Sequence, residues 1–144
     1  MRILTGLLFL AEAYGKLTGR FVEDSFRKAA EEMARGGWPF WRSFLHFFVL
    51  PHAQFFAWVV ALGELAVGVG LFLGFLTGIA TVGGAVLMLA ILLGQSYVGQ
   101  GGHWGDWLTA GLTTKFALLL LLSLFAADAG QTWGLDRRFG RRRI

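Results

Sequence analysis

Between Pro51 and Leu73 the chain runs 23 residues with one Asp, Glu, Lys or Arg, Glu64. A helix of that length is about 35 Å long at 1.5 Å per residue, enough to cross the hydrocarbon core of a bilayer. Two further runs share this character, from about Ile79 to Tyr97 and from about Trp107 to Ala127. A shorter one opens the chain, from about Arg2 to Gly19, and lies at the lower limit for spanning. Within it, Ala11-Glu12-Ala13 fits a small-x-small signal-peptide cleavage site, but the only basic residue ahead is Arg2, so a first membrane helix is the preferred reading. The expected fold is all-α: a single domain over residues 1–144, built as a four-transmembrane-helix bundle with helices at about 2–19, 51–73, 79–97 and 107–127.

Composition supports this reading. The chain is 56% hydrophobic and 15% charged, more apolar than a soluble domain of 144 residues can bury. The excess must face lipid or a partner. The net charge of +4 invites a nucleic-acid reading, but five of the 13 basic residues crowd into the last eight positions, Arg137, Arg138, Arg141, Arg142 and Arg143. A basic tail over residues 128–144 beside a membrane helix suits anionic lipid headgroups, and no basic–aromatic groove supports nucleic acid. The absence of Cys excludes thiol–disulfide chemistry, an iron–sulfur cluster and a structural disulfide.

Between the first two runs, Val22, Phe26, Ala29, Ala30 and Met33 recur at helical spacing among charges. Glu23/Arg27, Asp24/Lys28 and Glu31/Arg35 stand four apart with the acid first, the favourable order. Residues Arg20–Gly37 therefore read as an amphipathic interfacial helix, lying on the membrane or capping the bundle, or as a solvated surface helix. Trp38, Phe40, Trp41, Phe44, Phe47 and Phe48 follow within eleven residues, as an interface belt or the lip of a cavity. Gly70, Gly74 and Gly78, four apart, allow close helix approach. Lysine and arginine counts nearly tie between the two sides; the dense tail arginines favour cytoplasmic termini in the plasma (cytoplasmic) membrane.

Charge inside apolar helices is the most informative feature. Glu12, Glu64 and Lys115 are so placed, with Lys16 one turn after Glu12. Each costs about 2.5–3.5 kcal/mol when unpaired at mid-membrane. Depth puts Glu12, Glu64 and Lys115 in the same half of the bundle, with Lys16 nearer the interface and able to snorkel. Two readings stay open: a site for a polar head or a proton relay, or structural ion pairs Glu64–Lys115 and Glu12–Lys16 that fix register. Tyr14, Gln54, Gln95 and Tyr97 are candidate hydrogen-bond partners. His46, His52 and His103 fall at the interface or in loops, so no haem is expected, and His52, His103 and Asp106 lack metal-ligand spacing.

The sequence resembles the DoxX family. The resemblance lies in Arg2 with Tyr14-Gly15-Lys16-Leu17, in the stretch from Glu64 to Phe75, and in Ala129-Gly130 with Trp133-Gly134-Leu135-Asp136. It implies a four-helix membrane bundle with a glutamate in the second helix, here Glu64. It also implies redox associations, since DoxX-like and DoxD proteins are linked to thiosulfate:quinone oxidoreductase and to membrane complexes that resist oxidants. Wider relatives include non-enzymatic cargo receptors and assembly chaperones. The leading expectation is a redox-associated membrane subunit that binds a quinone or other lipid through Glu12, Lys16, Glu64 and Lys115 and docks a soluble or membrane redox partner. The alternative is a non-enzymatic membrane scaffold or assembly chaperone. Whether the chain is itself an enzyme, and whether it forms a homo-oligomer, are left open by the sequence.

Overall fold

The structure, a computed structural model, describes residues 1–95, 105 and 109–127 of the chain. Six helices are described: α1 (Arg2–Thr18), α2 (Phe26–Gly36), α3 (Pro39–Phe44), α4 (Ala53–Leu73), α5 (Thr77–Gln95) and α6 (Leu112–Ala126). A π turn, Phe21–Ser25, leads into α2. Among the described residues there is no strand. The basic tail 128–144 and residues 96–104 lie outside the described residues.

The long helices share one core. Phe9 of α1, Val67 and Leu71 of α4, Met88 of α5, and Leu121 and Leu124 of α6 form a single buried cluster. Helix α1 packs on α4, α4 on α5 and α5 on α6, while α6 touches α1 and closes the ring. Outside this core, large apolar side chains stay exposed, among them Leu4, Leu8, Val86, Phe116, Leu119 and Phe125. That inverted economy of apolar surface suits a hydrocarbon solvent rather than water. Buried hydroxyls turn back on their own helices, as Thr81 Oγ1 does to the Thr77 carbonyl at 2.9 Å.

Close approach of α1 and α4 is set by glycine. A Cβ at Gly6 would lie 2.7 Å from the Phe72 nitrogen, and one at Gly68 would lie 2.9 Å from the Leu10 nitrogen. The two contacts fix an antiparallel register: Gly6 opposes Phe72, and Leu10 opposes Gly68. The expected glycine series acts elsewhere. Gly70 meets Ala80 across the α4–α5 turn, and Gly78 faces open space. Gly74 closes α4 in the left-handed region at φ 65°, and the Phe75 N–H donates to the Gly70 carbonyl at 2.9 Å. Gly74→Ala is expected to cost about 1–2 kcal/mol, the penalty of a Cβ in that region. Thermal unfolding in detergent beside Gly78→Ala, which meets no neighbour, checks this.

The second apolar helix begins earlier than Pro51. Pro39–Leu73 is one helical run of 35 residues, passing through a π turn at Leu45–Val49 and a 3₁₀ turn at Leu50–His52. Proline has no N–H for the carbonyl four residues back and its ring crowds that carbonyl. The chain answers by changing its hydrogen-bond spacing instead of ending the helix. The irregularity closes at His52, whose backbone sits at φ −120°, ψ 33°. This run and Thr77–Gln95 are long and apolar enough to cross a membrane; α1 spans 17 residues and described α6 spans 15.

Helix α2 caps the bundle. Its Ala30 is buried with Leu45 and Val49, and Phe26, Met33, Trp41 and Phe56 pack around them. Met33 seats on Gly94, where a Cβ would fall 2.6 Å from its Cγ, and the Trp38 N–H donates to the Leu93 carbonyl at 3.2 Å. The apolar stripe is thus spent on protein. On the outer face Asp24 pairs with Lys28 at 2.5 Å, and that hydrogen bond holds the Lys28 ammonium pKa above its ordinary value. Arg27 turns to Glu31 at 3.4 Å instead of to Glu23. Phe40, Phe44, Phe47 and Phe48 point outward, as a belt.

Candidate functional site

The glycine register brings three charged residues together. Leu10 lies against Gly68, so one turn further along α1 the side chains of Ala13 and Lys16 come level with Glu64. Side chains lean toward the N-terminus of their helix. Lys16, near the end of α1, therefore points back into the bundle instead of outward.

Its ammonium Nζ stands 2.7 Å from Glu64 Oε2 and 3.1 Å from Glu12 Oε2. The Phe21 ring, from the π turn, lies under it at 5.5 Å to the centroid, a cation–π distance. Exposure is graded through the cluster: Glu64 is 3% exposed, Lys16 19% and Glu12 72%. Ala13 and Ala61, both fully buried, line the interface beside Glu64. A carboxylate so enclosed is tolerable only with its charge compensated. Lys16 supplies that compensation, though Glu64 Oε2 takes no well-aligned hydrogen bond. Two carboxylates thus share one ammonium.

Of the four residues expected from the sequence, the structure gathers Glu12, Lys16 and Glu64. The Glu64–Lys115 pair does not form. Lys115 sits half-buried on α6, which packs on α5 and only touches α1. Its neighbour Thr114 donates to Gln95 Oε1 at 3.1 Å. Lys16 does not snorkel to the interface: it is the residue that joins the cluster.

The other expected partners lie apart. Tyr14 is 70% exposed. Gln54 lines a separate cleft of about 320 Å³ with Val22, Glu23, Arg27 and Ala53, at the start of α4. His46 and His52 are exposed; His52 Nδ1 sits 3.2 Å from the Phe48 carbonyl. Tyr97, His103 and Asp106 fall outside the described residues. Sequence reasoning missed Phe21 altogether. Its position five residues past Lys16 gives no periodic signal, because a helix end intervenes.

A bundle with an apolar exterior and an ion cluster, anchored on a buried glutamate, between two of its helices defines a helical integral membrane protein. The family model of DoxX matches residues 1–95, about two thirds of the 144, and the chain belongs to the DoxX family. The match includes the whole cluster. It stops at Gln95, short of α6 and of the tail residues 129–136 on which the resemblance also drew. No match is found among curated proteins or among solved structures.

Proposed function

We propose that the chain crosses the membrane four times, through α1, the Pro39–Leu73 helix, α5 and α6. In this reading the Glu12–Lys16–Glu64 cluster receives the polar head of a quinone or another membrane lipid. The observation that carries it is Glu12. This carboxylate is 72% exposed, about 9 Å from the end of α1, on an outer surface otherwise made of Leu4, Leu8 and their neighbours. An acidic group turned toward hydrocarbon costs a few kcal/mol unless a polar group meets it. The head rests on Glu12, with Lys16 beside it and Glu64 as the buried anchor behind them. Lys115, on α6, is left out of this reading.

The chain then acts as a redox-associated membrane subunit of the plasma membrane, its termini cytoplasmic. In this reading the electrons come from a partner subunit, since the sequence shows no Cys, haem-ligand pair or flavin motif. The charged outer face of α2 is the part of the cap left for that partner, since its apolar face is already covered.

The test is a solvent extract of the protein purified in mild detergent, analysed for quinones and lipids by chromatography and mass spectrometry. About one retained molecule per chain is expected in the parent and none above detergent background in a Lys16→Met, Glu64→Gln double variant. Equal recovery from both, or none from either, removes the lipid site and returns the chain to the scaffold reading.

A further inference from the structure

We infer that the cluster selects lipid heads that donate hydrogen bonds over heads that only accept them. This rests on the reading of the cluster as a lipid site and names the chemistry of what it takes.

The argument is one of hydrogen-bonding capacity. A lysine ammonium has three N–H donors and no acceptor; an ionised carboxylate has acceptors only. Lys16 faces Glu64 at 2.7 Å, Glu12 at 3.1 Å and the ring of Phe21 at 5.5 Å. The ammonium is therefore turned to partners on every side the structure shows, by a hydrogen bond to Glu12, an ion pair with Glu64 and a cation–π contact, and only a fifth of the side chain is exposed. Glu64 is enclosed. What an incoming head meets is Glu12, a carboxylate with one oxygen committed to Lys16 and most of its surface open.

Nearby hydroxyls do not change this. Thr18 Oγ1 spends its proton on the Tyr14 carbonyl at 2.7 Å. Tyr14 is two residues from Glu12, and side chains at that spacing do not face each other on a helix. The accessible face is an acceptor with residual negative charge, because one ammonium balances only one of the two carboxylates. A quinone carbonyl or a quaternary ammonium offers it no N–H or O–H. A quinol hydroxyl or a primary ammonium does, and a donor to a charged acceptor makes the stronger class of hydrogen bond.

Two sources supply that chemistry, a quinol and an ethanolamine headgroup, and two matched pairs of probes separate them. Short-chain ubiquinol is compared with ubiquinone, and short-chain phosphatidylethanolamine with phosphatidylcholine. Binding to the full chain in detergent micelles is measured under anaerobic conditions by titration calorimetry. The donor is expected to bind about tenfold more tightly than its acceptor in at least one pair, and that pair names the source. Glu12→Gln, at a site open enough to leave the fold intact, is expected to bring the preference within about twofold while Lys16 still contacts Glu64. Equal affinities within both pairs, a preference for the acceptor, or a donor preference that survives Glu12→Gln overturns the inference but leaves the lipid site standing. Failure of all four probes to bind overturns the inference and the lipid site together.

Discussion

Lys16→Met is expected to lower stability by about 3–5 kcal/mol, the usual cost of stripping the partner from a buried charge. Glu64 is 3% exposed and Lys16 is the cation 2.7 Å from it, so the variant leaves a carboxylate enclosed among alanines. The companion double variant, Lys16→Met with Glu64→Leu, should recover most of that loss, because a well-packed apolar pair replaces both ions. Glu12→Gln should cost clearly less than Lys16→Met, because it leaves no enclosed charge without its partner and removes a carboxylate from the apolar flank. Unfolding midpoints in one detergent give all three values. If Lys16→Met costs no more than Glu12→Gln, Glu64 does not depend on this lysine and the cluster has been misassembled.

Gly68→Val and Gly6→Val are expected to destabilise by about 1–3 kcal/mol each, with the upper end favoured. At Gly6 the obstacle is the backbone of Phe72, and at Gly68 it is the backbone and Cγ of Leu10. A flexible side chain swings aside; a helix backbone moves only as a whole. Forcing α1 from α4 also draws Lys16 from Glu64, so the same variants should lose retained lipid. Gly15→Ala and Gly83→Ala meet no neighbour, and by helix propensity should hold or gain up to about 1 kcal/mol. Equal midpoints for Gly6→Val and Gly15→Ala would contradict the α1–α4 spacing.

The apolar runs made the helical class and most helix ends readable, since a run ends where polar and glycine residues begin. Register was not readable. It depends on which glycines oppose which backbone, and the sequence drew attention to Gly70, Gly74 and Gly78 when Gly6 and Gly68 set the α1–α4 distance. The expected Glu12–Lys16 pair forms, but without the register the sequence does not show Glu64 to be the second partner of Lys16. Counted from the interface it looks peripheral, and only its backward lean, with Glu64 level beside it, shows it to be central. The Glu64–Lys115 pairing failed for a related reason. Similar depth does not make two residues neighbours when their helices meet in the shared core and not side by side. Pro51 misled as a start signal, because a helix with room to shift its hydrogen bonding carries a proline through.

On the proposed lipid reading, the cap formed by α2 also decides the phase from which the ligand arrives. Met33 on Gly94 and Phe21 beneath Lys16 cover the end of the bundle beside the cluster, the cleft at Gln54 apart, while Glu12 stays open along the flank of α1. Entry is then sideways, through a two-dimensional solvent. Occupancy should follow the mole fraction of ligand among the lipids, with no dependence on its molarity in the surrounding buffer. Titrations of vesicle-reconstituted protein at several lipid concentrations should superimpose when plotted against the ligand-to-lipid ratio. Curves that align only on aqueous concentration would place the entrance at the capped end.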